Sequence, residues 1–181
     1  YEQFVYNVAY RSVANLVPDY NKILTFQSCS KTYAMTGWRI GYTIGDKEII
    51  GAMAKLQGQS TSCPNSIAQA AAIEALKGDQ SEVSRMRNIF KSRRDFIVER
   101  LNNMNKVSCD IPGGAFYVFP DFSLYMGADK KINSSDDLSM YLLEEKAVVT
   151  VAGNAFGSDN NVRFSYAASD DDLERAMDLV D

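Results

Sequence analysis

The chain contains no histidine. That absence removes Ser-His-Asp and Cys-His catalysis and most zinc sites, so proton transfer falls to lysine, carboxylate, tyrosine or cysteine. Cysteine is scarce. Cys29, Cys63 and Cys109 are odd in number, far apart, and form no Cys-x-x-Cys pair. They read as free thiols in a reducing cytosol, not as a disulfide frame or a metal site. No apolar run is long enough to span a membrane, and no secretory signal is read in the sequence. The basic residues are not segregated, and the net charge is −4, which speaks against nucleic acid or an anionic membrane as partner. Internal repeats and low-complexity segments are missing too.

What is present suffices for a core. The 181 residues are 46% hydrophobic, enough for one large domain or two small ones. The most informative stretch is Ser28-Cys29-Ser30-Lys31-Thr32-Tyr33-Ala34-Met35-Thr36-Gly37-Trp38-Arg39-Ile40-Gly41-Tyr42. Apolar runs flank it, Ile23–Phe26 before and Ile40–Ile44 after, and they read as two strands joined by a turn that presents Lys31. A lysine amine can bond an aldehyde such as that of pyridoxal phosphate (PLP). The cofactor's phosphate needs donors, which the hydroxyls of Ser28 and Ser30 and the planar guanidinium of Arg39 can supply.

Ser-x-Ser-Lys-x-x-x-Met-x-Gly-x-Arg-x-Gly-Tyr resembles the Schiff-base segment of the class I/II aminotransferases, and its second half is most similar to the bacterial-type aspartate aminotransferase branch. Gly113-Gly114-Ala115-Phe116-Tyr117 and Arg163-Phe164-Ser165-Tyr166-Ala167 are further signatures of that family. The resemblance implies an α/β fold of the PLP-dependent, aspartate-aminotransferase type. It makes Lys31 the Schiff-base lysine, Ser28 and Arg39 the phosphate ligands, and Ser30 a weaker phosphate neighbour. Tyr1 would bond the phenolic oxygen of PLP, and Arg163 would clamp the substrate α-carboxylate. Residues 1–79 would complete a large PLP-binding domain and 80–181 form a small C-terminal domain. The implied partners are an L-amino acid, aspartate by default, and a 2-oxo acid, in a cytoplasmic homodimer. A C–S lyase or other elimination enzyme on the same fold remains open, as does a non-catalytic fragment. The opening Tyr1-Glu2 resembles the end of a family motif whose aspartate lies upstream, so the chain is expected to be a C-terminal fragment, inactive alone. The family has a variable residue at Cys29, which speaks against a catalytic thiol there.

The remaining elements follow from periodicity and caps. Residues 9–22, with Pro18, read as loop. Asp46-Lys47-Glu48 starts a helix whose Ile49, Ile50, Met53 and Leu56 make a buried stripe. Residues 59–66 break it, and by resemblance that break lies at a dimer interface. A Ser66/Gln69 capping box opens a helix over 66–77 that ends at Gly78 in the C′ position. A long helix over 81–104 carries Val83, Met86, Phe90, Ile97, Leu101 and Met104 inward and a basic face of Arg85, Arg87, Lys91, Arg93 and Arg94. Strands are expected from Val107 to Cys109, Ala115 to Phe119, Ala147 to Val151 and Asn161 to Ala167. Ser135 is expected to cap a helix running to Lys146. Ser169 with Asp172 is expected to cap the last helix, which makes the acidic run there structural.

Overall fold

The computed structural model describes residues 2–17, 22–127 and 131–181. The chain packs as two compact units. One comprises residues 9–86 with Glu2; the other comprises 3–8 and 87–181. The expected loop over 9–22 holds one short helical turn, α1 (Val13–Leu16), and its Pro18 lies outside the described residues.

In the first unit, β1 (Thr25–Ser28) and β2 (Gly41–Ile44) form an antiparallel hairpin in the register Thr25↔Ile44 to Ser28↔Gly41. Between them run a turn and a short 3-10 segment, Thr36–Trp38. Gly41 is required by close approach, since a Cβ there would lie 2.7 Å from the Gln27 carbonyl oxygen. Helix α2 (Lys47–Ser60) starts where expected, with the Asp46 carboxylate accepting from the Glu48 and Ile49 amides. Its apolar stripe, however, is not buried: α2 holds no buried residue, and Leu56 is 73% exposed. Periodicity marks an apolar face; only packing decides whether it is covered.

Helix α3 (Ser66–Lys77) has the expected span, but its cap is Asn65, whose side chain accepts from the Ile67 and Ala68 amides. Gln69 instead donates to the Pro64 carbonyl. Gly78 ends α3 with extended backbone, not a left-handed turn. It is needed because a Cβ would sit 2.6 Å from the Glu74 carbonyl oxygen. Small residues on α3 let the hairpin turn come close: Ala68 and Ala72 bury against Cys29, Met35 and Ile40.

Helix α4 (Ser81–Asn103) runs across the division between the units at residues 86 and 87. The second unit is built on its inner face, where Ile97, Val98 and Leu101 pack with Val118, Phe164, Tyr166, Leu173 and Met177. Arg94 does not join the basic face. It is 2% exposed, donates to Asp95 Oδ1 and the Pro112 carbonyl, and lies 4.7 Å from the centre of the Tyr6 ring. Arg93 is the outward neighbour, paired with Asp170.

A three-stranded antiparallel sheet covers that core in the order β3 (Tyr117–Val118), β5 (Val162–Ser165), β4 (Val151–Ala152). The strands are shorter than the apolar runs suggested. Val107–Cys109 contributes only a bridge from Ser108 to Asp121. In the Ala147–Val151 run, Ala147 takes a left-handed conformation (φ 54°) that ends helix α5 (Ser135–Lys146), and pairing begins only at Val151. The cap of α5 is Ser134, one residue before the expected one. Ser135 is buried, donates to Asp159 and accepts from the Asn154 amide, tying α5 to the turn after β4. Ser169 caps α6 (Asp170–Val180) as expected, accepting from the Asp172 amide. Residues 3–8 close the unit: Phe4 buries against Phe90, Tyr6 donates from its amide to the Gly113 carbonyl, and the Tyr6 hydroxyl reaches the Ala115 carbonyl. No helix among the described residues is long and apolar enough to cross a membrane.

Candidate functional site

The hairpin end gathers one set of candidate residues. Ser28 closes β1 opposite Gly41, and the Cys29 amide donates to the Ile40 carbonyl, so Ser28 and Arg39 leave the same end of the ladder. The Ser28 hydroxyl accepts from the Ser30 amide at 3.1 Å, which fixes the first bend. Lys31 follows in the turn with an exposed side chain. The turn reverses at Ala34 and again at Arg39, both left-handed at φ 52°. A non-glycine residue holds such a conformation at a cost of about 1–3 kcal/mol, and here the buried Cys29, Met35 and Ile40 over-determine it. The Arg39 guanidinium donates to the Thr36 carbonyl at 2.8 Å and is otherwise exposed. It pairs with no carboxylate among the described residues. A cavity of about 590 Å³ opens beside it, lined by Ala34, Gly37, Trp38, Arg39 and the first turn of α3.

Three weakly acidic groups lie in or beside this turn: the buried Cys29, the half-buried Tyr33 and the exposed Tyr42. Burial pushes the Cys29 thiol up. It also raises the phenols of Tyr33 and Tyr42, with smaller contributions from Cys29 and Glu2 to Tyr33, and from Tyr33, Cys29 and Glu2 to Tyr42. All three therefore stay neutral at physiological pH. Cys29 is a packed thiol under the turn, not a nucleophile.

Arg163 belongs to the other unit. It sits in the central strand β5, half-buried, with its guanidinium carbon 4.4 Å from the Tyr117 ring centre and 4.6 Å from that of Phe156. No carboxylate among the described residues pairs with it. Neither aromatic neighbour stands out in the sequence as a site residue. The signal available was Tyr117 on the strand partnering Arg163 and Phe156 in the glycine-flanked turn. Tyr1 lies outside the described residues.

Residues 1–180 match the family described as Aminotransferase class I and II. The chain belongs to that family. An aspartate aminotransferase of Rhizobium meliloti (strain 1021) is 43% identical over 187 residues, spanning 99% of this chain and 45% of that protein. An aspartate/prephenate aminotransferase of Cereibacter sphaeroides is 44% identical over 182 residues, spanning 97% of this chain and 46% of that protein. Among solved structures, the aspartate aminotransferase from Rhizobium meliloti superposes with a TM-score of 0.93 at 42% identity, over 99% of this chain and 46% of that one. A Thermus thermophilus aspartate aminotransferase tetra mutant gives 0.89 at 36% identity, over 99% and 48%. The α/β, aspartate-aminotransferase-like fold expected from the motifs is thus borne out. The chain spans less than half the length of these class I and II aminotransferase relatives.

Proposed function

We propose that these residues are the lysine-bearing part of a PLP-dependent aminotransferase that moves an amino group between an L-amino acid, aspartate by default, and a 2-oxo acid. The observation that carries this is the hairpin turn, which carries in sequence a serine hydroxyl, an exposed lysine and an arginine fork that no carboxylate of the described residues engages. That donor set fits the cofactor: one amine for an aldehyde, with hydroxyl and guanidinium donors for a phosphate dianion. The names of the relatives support the substrate class.

In this reading Ser28 and Arg39 hold the phosphate, with Ser30 beside them. Tyr1 contributes its hydroxyl to the phenolic oxygen. When bound, PLP supplies an electrophilic carbonyl and an electron-withdrawing ring that acidifies the substrate Cα–H. Lys31 anchors the cofactor and, once released, takes the proton from the substrate Cα. Arg163 binds the α-carboxylate and so orients that bond; positioning of this kind contributes up to about 7–11 kcal/mol in the best intramolecular cases. Residues 1–79 belong to the large domain and 80–181 to the small domain of a cytoplasmic homodimer. The 181 residues alone give little or no turnover.

The test uses the protein at its relatives' length. Borohydride reduction with PLP labels Lys31, and Lys31→Ala lowers transamination by at least about 10⁴-fold, a loss of the size seen when an essential group is removed. Peptide mapping that finds the label elsewhere, or wild-type turnover in Lys31→Ala, refutes the assignment. Steady release of 2-oxo acid without an amino acceptor shows elimination instead.

A further inference from the structure

Arg163 presents a physical problem. It is a half-buried cation on a central strand, and no carboxylate among the described residues compensates it. What faces it is aromatic. The ladder pairs Tyr117 with Ser165 and Val151 with Arg163, so Tyr117 is the diagonal neighbour of Arg163 on one face of the sheet. Its ring centre lies 4.4 Å from the guanidinium carbon, and that of Phe156 lies 4.6 Å away. Tyr117 comes from the paired strand and Phe156 from the turn after β4, so two separate elements each place a ring against the guanidinium.

Both rings are themselves held. Tyr117 packs on Phe116 at 4.5 Å, and Phe156 meets Phe119 edge-on at 5.9 Å. Phe156 ends the short 3-10 segment Gly153–Phe156. That segment is fixed at both ends. A Cβ on Gly153 would come within 2.2 Å of the carbonyl oxygens of Ser158 and Asn161, and Gly157 turns at φ +83°.

Resting on the reading of Arg163 as the carboxylate clamp, we propose that Tyr117 and Phe156 are its positioning residues. Ring faces attract the cation through their quadrupoles and offset part of its lost hydration. Unlike a neighbouring carboxylate, a ring face carries no oxygen acceptor to compete for the guanidinium N–H groups. Those in-plane donors therefore stay directed at a planar, bidentate anion. The aromatic pair also restricts the rotamers of a long side chain, which lowers the ordering cost when a carboxylate binds.

The test is equilibrium binding of maleate, an unreactive dicarboxylate, to the full-length holoenzyme. Phe156→Leu and Tyr117→Leu each weaken it about tenfold, the size of one partly desolvated cation–π contact. Phe156→Tyr and Tyr117→Phe, which keep the rings, retain wild-type affinity. In an Arg163→Leu background neither leucine substitution weakens binding further, because the effect acts through the arginine. Wild-type affinity in both leucine variants, with loss in Arg163→Leu alone, overturns the positioning role and leaves the clamp standing. Equal weakening with and without Arg163 also overturns it, since the rings then act on something else. Unchanged affinity in Arg163→Leu removes the clamp and this proposal together.

Discussion

Two adjacent arginines on α4 are expected to differ several-fold in their contribution to stability. Arg94 is 2% exposed, and its guanidinium donates to Asp95 Oδ1 at 2.9 and 2.6 Å and to the Pro112 carbonyl at 3.0 Å, over the Tyr6 ring at 4.7 Å. Arg94→Ala strands the carbonyl, at about 1–3 kcal/mol, and removes a cation–π contact of about 1–2 kcal/mol. Asp95 is half exposed, so water takes over there, and the sum comes to roughly 3 kcal/mol. Arg94→Met keeps the stem packing and falls between wild type and alanine. Arg93 pairs with Asp170, whose side chain is 78% exposed, and Arg93→Ala costs less than about 1 kcal/mol. Equilibrium urea unfolding measures both. Equal losses, or a larger loss at Arg93, refute the account of the buried charge.

The Arg94–Asp95 pair carries a pH signature. Burial pushes the Asp95 carboxyl up, but hydrogen bonding and charge from Arg94, with a smaller part from Lys91, outweigh it and hold the group below its ordinary value. The folded value is therefore below the unfolded one, near 3.9. Its stabilisation is complete above that value and is lost as pH falls through the lower, folded one. Asp95→Asn should be less stable than wild type at neutral pH, and the gap should close in acid.

Two further outcomes are expected. Gly153→Ala puts a Cβ within 2.2 Å of two backbone carbonyls and should cost about 2–3 kcal/mol by thermal or urea unfolding; a neutral result means the turn re-forms freely. Thiol titration of the folded protein at pH 8 should find Cys63 fast, because it is exposed. Cys29 and Cys109 should react only on unfolding, burial having pushed Cys109 up to about 11; three fast thiols contradict that packing.

Helices were the most legible elements in the sequence. α3 and α6 follow from caps and α4 from three-four spacing, because both signals are local. Caps slipped by one residue at Asn65 and Ser134, where neighbouring polar residues compete for the same amide. Strands were less legible. The Ala147–Val151 run looks uniform, yet a left-handed Ala147 uses its start to finish a helix. Burial was least legible, since it depends on partners distant in sequence. Arg94 reads as surface charge until Tyr6 and Pro112 are folded onto it, and the α2 stripe reads as core although α2 holds no buried residue. At the candidate site, Ser28, Lys31 and Arg39 are close in sequence and so legible as one motif, while Arg163 acquires Tyr117 through strand pairing and Phe156 through the turn after β4.

The staple formed by residues 3–8 also bears on how the chain is made. Tyr6 finds its carbonyl partner 109 residues later, at Ala115. At a ribosomal rate of about 5–20 residues per second, Phe4 and Tyr6 wait roughly 5–20 s for the segment that will cover them. During that interval two aromatic side chains lack the partners that cover them in the folded unit. Chaperone capture of stalled nascent chains should therefore fall sharply once the stall site moves beyond Ala115 by the length of the exit tunnel.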